Sequence, residues 1–221
     1  MSFRVRWKEF RSYAAEEFFQ HLPYTIFGIL FGLAMTALLM LTSLVQIDES
    51  LFHQAHFLHL FFSGAASAAI FKTYNDSLLK AVPVAFISSV ALCTVSDVLI
   101  PMLGLSLFGY QVELHLCIQE HPVLISLGVL AGIWVGLLGI RFFSHCNRSF
   151  HMLHILISTI ASTLYLLMFI DQSGFKVMLL VATVLIFALA IPCLVGDMVL
   201  PLTVVSMTGE DTHQKVHHSH D

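Results

Sequence analysis

Charge is what this chain has least of. Only 11% of its 221 residues are Asp, Glu, Lys or Arg, where a soluble domain carries about a quarter. That excludes a soluble enzyme, a disordered chain and a nucleic-acid binder, all of which depend on charge. The net charge of −4 is too small to select a partner. Cysteine is scarce as well. Four of them without regular spacing make neither a disulfide framework nor a zinc ribbon. The N-terminal residues lack a short apolar core followed by a small-residue cleavage site, so no signal peptide is expected. What abounds is apolar: 57% of residues are hydrophobic and the mean hydropathy is +0.86. The other excess is histidine, 13 residues against 10 Lys and Arg.

Six apolar stretches, 22–47, 53–74, 79–104, 122–143, 150–170 and 175–205, reach the length of roughly 20 residues that a bilayer crossing needs. Lipid offers nothing to an unpaired backbone group, so each crossing must be helical. The expected fold is therefore an all-α polytopic membrane protein with six transmembrane helices. Residues 105–121 form an external loop carrying Glu113, His115, Cys117 and Glu120. In residues 1–21, Phe3, Trp7, Phe10 and Ala14 recur at helical spacing with Arg4, Lys8 and Arg11 between them. That pattern predicts a short helix in the cytoplasmic headgroup region. With the N-terminus in the cytoplasm, every Lys and Arg except Lys176 falls inside, as the positive-inside rule requires. Both termini are then cytoplasmic, in a plasma or inner membrane.

The two halves repeat. His21 and His121 each precede a Gly-xxx-Gly pair, Gly28/Gly32 and Gly128/Gly132. The second span reads His56-x-x-His59 followed by Ser63 and Ser67. The fifth reads His151-x-x-His154 followed by Ser158 and Ser162. The third holds Cys93, Asp97 and Pro101, and the sixth Cys193, Asp197 and Pro201, both at four-residue spacing. The matching positions are polar, Gly or Pro, which aliphatic helices do not match by chance. Each half (22–104 and 122–205) has three spans, an odd number, so the second enters the membrane inverted. Such 3+3 inverted-topology repeats are a common construction of secondary transporters.

These residues also suggest chemistry. Positions i and i+3 share a helix face, so both imidazoles of a His-x-x-His pair reach one ion. An Asp from a second helix adds an oxygen and a charge, and a His from a third completes the four ligands zinc prefers. Depth arithmetic predicts two metal sites. His56, His59, Asp97 and His121 lie near the outer face; His151, His154, Asp197 and His21 lie near the inner one. Zinc comes first for such ligands, with iron or manganese as alternatives. Pro101 and Pro201 lack the N–H that would bond the carbonyls of Asp97 and Asp197, freeing those oxygens as well. Cys93 and Cys193 lie a turn deeper and read more readily as small core residues than as ligands. The four serines either line a polar path between the sites or bond back to their own helices. The C-terminal tail 206–221, with His213, His217, His218 and His220, is a cytoplasmic tract able to chelate a cation.

The expected function is a divalent transition-metal transporter alternating between the outer and inner sites, with protons as a coupling ion. Its partners are a lipid bilayer, metal ions and protons, with a homodimer as a further assembly. No catalytic residue, nucleic acid or other cofactor is expected. Three alternatives compete: an integral-membrane metalloenzyme, a two-haem electron carrier, and a transporter of another solute in which His and Asp carry only protons. Against an enzyme stands the placement of the two His-x-x-His motifs on opposite sides of the membrane.

Overall fold

The computed structural model describes residues 47–142, 146–170 and 175–190, scattered positions between 15 and 42, and 192, 200, 203 and 204. For 140–142, 146–149 and 151, among others, it describes the backbone alone. His21, Cys193, Asp197, Pro201, residues 205–221 and most of 1–21 lie outside the described residues. Every regular element among the described residues is helical.

Helix α1, Glu49–Tyr74, begins where extended Asp48 caps it, its carboxylate accepting the Leu51 N–H at 2.9 Å. Glu49 in the first turn and Lys72 in the last complement the helix dipole. The chain reverses at Asn75, whose side-chain oxygen accepts the Ser77 N–H at 2.8 Å. Helix α2 then runs over Leu78–Leu107. It ends at Gly109, whose φ of +84° lets Tyr110 and Gly109 return hydrogen bonds to the carbonyls of Leu105 and Ser106. A single helical turn, Cys117–Glu120, leads into α3, Pro122–Phe142; α4 is Cys146–Met168 and α5 Phe175–Ala190. The described residues between 22 and 42 are helical, with Gly28 against Ile155 of α4.

Helix α1 is the central post, packed on α2, α3 and α4. Against α3 the contact runs Phe57 to Gly128, Phe61 to Gly132 and Ala65 to Gly136, so these helices are parallel. A Cβ at Gly132 or Gly136 would overlap the backbone carbonyl of Phe61 or Ala65. The Gly-xxx-Gly spacing thus does here what it does between membrane helices, letting two backbones touch. Against α4 the order reverses: Phe52 meets Tyr165 and His59 meets His154. Parallel α1/α3 and antiparallel α1/α4 are the directions that alternating traverses demand.

The bundle carries a polar seam through an otherwise apolar core and is apolar outside. His56, His59, Ser63, Ser67, Ser88, Ser89, Ser96, Asp97, His154, Ser158 and Ser162 are buried. Leu79, Ile87, Leu107, Leu127, Trp134, Leu138, Ile186 and Phe187 are exposed. Exposed apolar area of this extent marks a surface that meets something other than water. Among the described residues two helices are long and apolar enough to cross a membrane, Leu78–Leu107 and Pro122–Gly139. Met152–Met168 and Leu179–Leu189 are apolar but shorter.

Gly132→Val should force α3 off α1. Overpacking of this kind costs about 1–3 kcal/mol or more, so the variant should melt at a clearly lower temperature in detergent. An unchanged melt would contradict the close contact.

Candidate metal centre

Asp97 organises the middle of the bundle. Around it, α2 departs from α-helical geometry: Val95–Leu99 is a π segment, and Ile100 N–H bonds the Val95 carbonyl five residues back. Pro101 explains the defect. It has no N–H to continue the ladder, and single π turns concentrate at functional sites. In this wider register Pro101 stands where an N–H would meet the Ser96 carbonyl, leaving that oxygen available. Ser162 Oγ lies 3.4 Å from it. The π turn also widens α2 just where its carboxylate must face α1 and α4.

The Asp97 side chain has no solvent exposure. Its Oδ2 accepts from His56 Nδ1 at 2.8 Å and from His59 Nδ1 at 2.5 Å. Its Oδ1 faces the hydroxyls of Ser96, Ser158 and Ser162 at 3.0, 3.1 and 2.9 Å. Two imidazoles from α1, two hydroxyls from α4 and one from α2 thus converge on one carboxylate. Since the carboxylate accepts at Nδ1, each ring carries hydrogen there and turns Nε2 away. A carboxylate–imidazole pair of this form orients metal-bound histidines and raises their basicity.

A second triad shares His59. A ring nitrogen of His59, one of His154 and the Cys93 sulfur all lie within 4.8 Å of one another, and so do the donor atoms of His56, His59 and Asp97. The His59 and His154 ring centroids are 4.5 Å apart. Donors around tetrahedral zinc stand roughly 3.3–3.7 Å apart, given its bond lengths. Small side-chain rotations would close either triad on an ion. These buried His/Asp/Cys groups therefore suit a metal ion, with no preference for zinc over its neighbours.

The structure brings His56, His59 and Asp97 together and departs from the expected two-site plan in three ways. His154 joins His59 instead of lying apart near an inner face. The reason is where the helices begin. Helix α1 starts at Glu49, so His59 is ~15 Å along it, and His154 is ~12 Å along α4 from the other end. In antiparallel helices of this length both reach mid-bundle. Second, His121 is exposed just before α3 and packs edge-on against His53, 5.5 Å between centroids, away from Asp97. Third, Ser158 and Ser162 hold Asp97 and do not line a path. His21 and Asp197 lie outside the described residues, as does the side chain of His151.

Cys93, read from sequence as core, is buried in the core, and its sulfur also lies within 4.8 Å of ring nitrogens of His59 and His154. His53, His115, Glu49 and Glu120 also cluster and were missed. His53 was legible, because it stands three residues before His56 on the same face. His115 and Glu120 were not, since only loop folding brings them to α1. Close by, burial pushes the Cys117 thiol up to about 12, with the Asp97 charge a smaller cause.

Comparison with known proteins places the chain near nothing familiar: no family model, curated protein or solved structure matches it.

Two measurements check this geometry. Asp97→Ala should destabilise the bundle by about 3 kcal/mol or more, because it strands buried N–H and hydroxyl donors at once. Asp97→Asn, which keeps an acceptor oxygen, should lose less; thermal unfolding in detergent compares them. Cys117 should escape iodoacetamide at pH 8 in the folded protein, its thiol being neutral there, and react on unfolding. Peptide mapping would read this.

Proposed function

We propose that this protein is an integral-membrane transporter of divalent transition-metal cations, zinc, iron or manganese, built as a six-helix 3+3 inverted repeat with both termini cytoplasmic. The observation that carries the reading is the Asp97 centre: a buried carboxylate, three imidazoles and a thiol from three helices, inside a bundle whose outer faces are aliphatic. An ionisable cluster so placed is costly and has a functional explanation by default. The apolar exterior and the parallel and antiparallel packing directions support the membrane topology. The serines of α4 closing on Asp97 of α2 support an intimate pairing of the two halves, as transporters with inverted repeats place their sites where repeats meet.

A bound ion would draw on His59, His154 and Cys93, with His56 and Asp97 beside them. The metal would supply charge to be moved, and the chain's part is to replace its water shell. Asp97 orients two imidazoles, and the three hydroxyls keep its own charge solvated when the ion leaves.

A metalloenzyme gains ground from one observation. The objection that the two His-x-x-His motifs lie on opposite sides loses force once His59 and His154 share a centre. A haem between them is excluded by space, because centroids 4.5 Å apart leave no gap for a porphyrin.

Proteoliposomes holding a metal-sensitive dye test the proposal. Wild-type protein should admit zinc, iron or manganese. His56→Ala/His59→Ala and His154→Ala should lose bound metal and flux. Asp97→Asn should weaken metal binding by about 10–100-fold, the usual penalty for removing a carboxylate that orients a ligand. Asp197→Asn should impair flux similarly if the repeat is functional. Bound metal without flux in the wild type would reject transport in favour of the enzyme; unchanged metal content in the histidine variants would reject both.

A further inference from the structure

The first turn of α1 carries a second convergence that the Asp97 centre does not use. His53 and His115 present their Nε2 atoms to each other at 2.6 Å. Glu120 Oε2 lies 3.3 Å from the first and 3.0 Å from the second. Glu49 Oε1 lies 3.2 Å from His115 Nε2 and 4.0 Å from His53 Nε2. The four side chains come from α1, from the loop after α2 and from the Cys117–Glu120 turn.

One proton shared between the rings leaves a single positive charge facing two carboxylates. Two imidazolium ions would repel at 2.6 Å. Two neutral rings place one hydrogen between them, and the acceptor ring then directs its lone pair at carboxylate oxygens as well. A dication between them answers all four groups once the rings part from 2.6 Å to the roughly 3.3–3.7 Å spacing of zinc ligands: each nitrogen and each oxygen becomes a donor to it, and two carboxylates cancel its charge. Two imidazoles and two carboxylates also make up a four-ligand set, the number zinc takes.

The surroundings hold this geometry in place. Tyr165 of α4 donates its hydroxyl to the Glu113 carbonyl at 2.7 Å, tying down the loop that carries His115. The His53 and His115 rings stack, 4.7 Å between centroids and 22° between planes. Both imidazoles are about one-fifth exposed, so an ion arrives without the bundle opening. Beside them lies an open cleft of ≈ 810 Å³ lined in part by Asp48, Glu49, His53 and His121, acidic enough to attract a cation. Phe52 stands between this cluster and the buried centre, its ring 6.2 Å from His115 and 5.5 Å from His56.

We propose that Glu49, His53, His115 and Glu120 form a second, solvent-accessible site for a divalent transition-metal ion, separate from the Asp97 centre. No thiol belongs to it, because Cys117 is not among the converging donors. The assignment does not rest on transport.

Full-length protein in detergent, titrated with Zn²⁺ and with Co²⁺, tests it. Cobalt bound here should show visible d–d absorption without the near-ultraviolet sulfur-to-metal band that a Cys93-ligated ion gives. His53→Gln/His115→Gln should remove one equivalent of zinc, or weaken it at least tenfold, together with the sulfur-free cobalt spectrum. Glu49→Gln/Glu120→Gln should weaken the same equivalent. All four positions are at or near the surface, so folding is preserved and the C-terminal histidines contribute equally to every variant. His56→Ala/His59→Ala should retain this equivalent. Unchanged stoichiometry and cobalt spectrum in both the His53/His115 and Glu49/Glu120 variants would overturn the second site while leaving the buried one standing. Loss of metal there, with none lost from His56→Ala/His59→Ala, would uphold it and reject the buried one.

Discussion

A carboxylate cut off from water needs enough hydrogen bonds to replace its hydration, and this bundle is arranged around that need. Asp97 has both oxygens engaged, one by imidazoles and one by hydroxyls. Leaving such a group unsatisfied costs far more than any single contact stabilises. The requirement fixes the rotation of α1, which must present His56 and His59. It fixes that of α4, which must present Ser158 and Ser162. It also accounts for the π turn in α2, which brings the carboxylate to where both can reach it.

The rest of the packing follows from what that polar seam leaves over. With its histidine and serine face turned to α2 and α4, α1 offers Phe57, Phe61 and Ala65 to α3. The glycines of α3 let that contact close to backbone distance. Aliphatic side chains then cover the outside. Among the described residues, α2 and α3 are the helices long and apolar enough to cross a membrane. The polar residues that lower the mean hydropathy of α1, His56, His59, Ser63 and Ser67, face the interior seam.

Donor groups are graded along α1. His53 faces a cleft, Phe52 closes the level below, and His56 and His59 are buried. Three histidines at a spacing of three, on a helix capped at Asp48, therefore pass from a wet environment to a dry one within two turns.

Composition and spacing alone determined that the described residues are helical, that their exterior is apolar, and that His56 and His59 share a helix face at the depth of Asp97. These are local facts: hydropathy is a sum over residues, and a three-residue spacing on a helix sets a shared face. Gly128 and Gly132 likewise announced a close helix contact. Tertiary structure alone decided that His154 meets His59, that the Cys93 sulfur lies beside both rings, that α2 takes a π turn ahead of Pro101, and that His115 and Glu120 reach α1. Each depends on where helices start and which faces meet. A starting residue displaced by one turn moves a side chain by ~5 Å, which is the difference between two separate clusters and one.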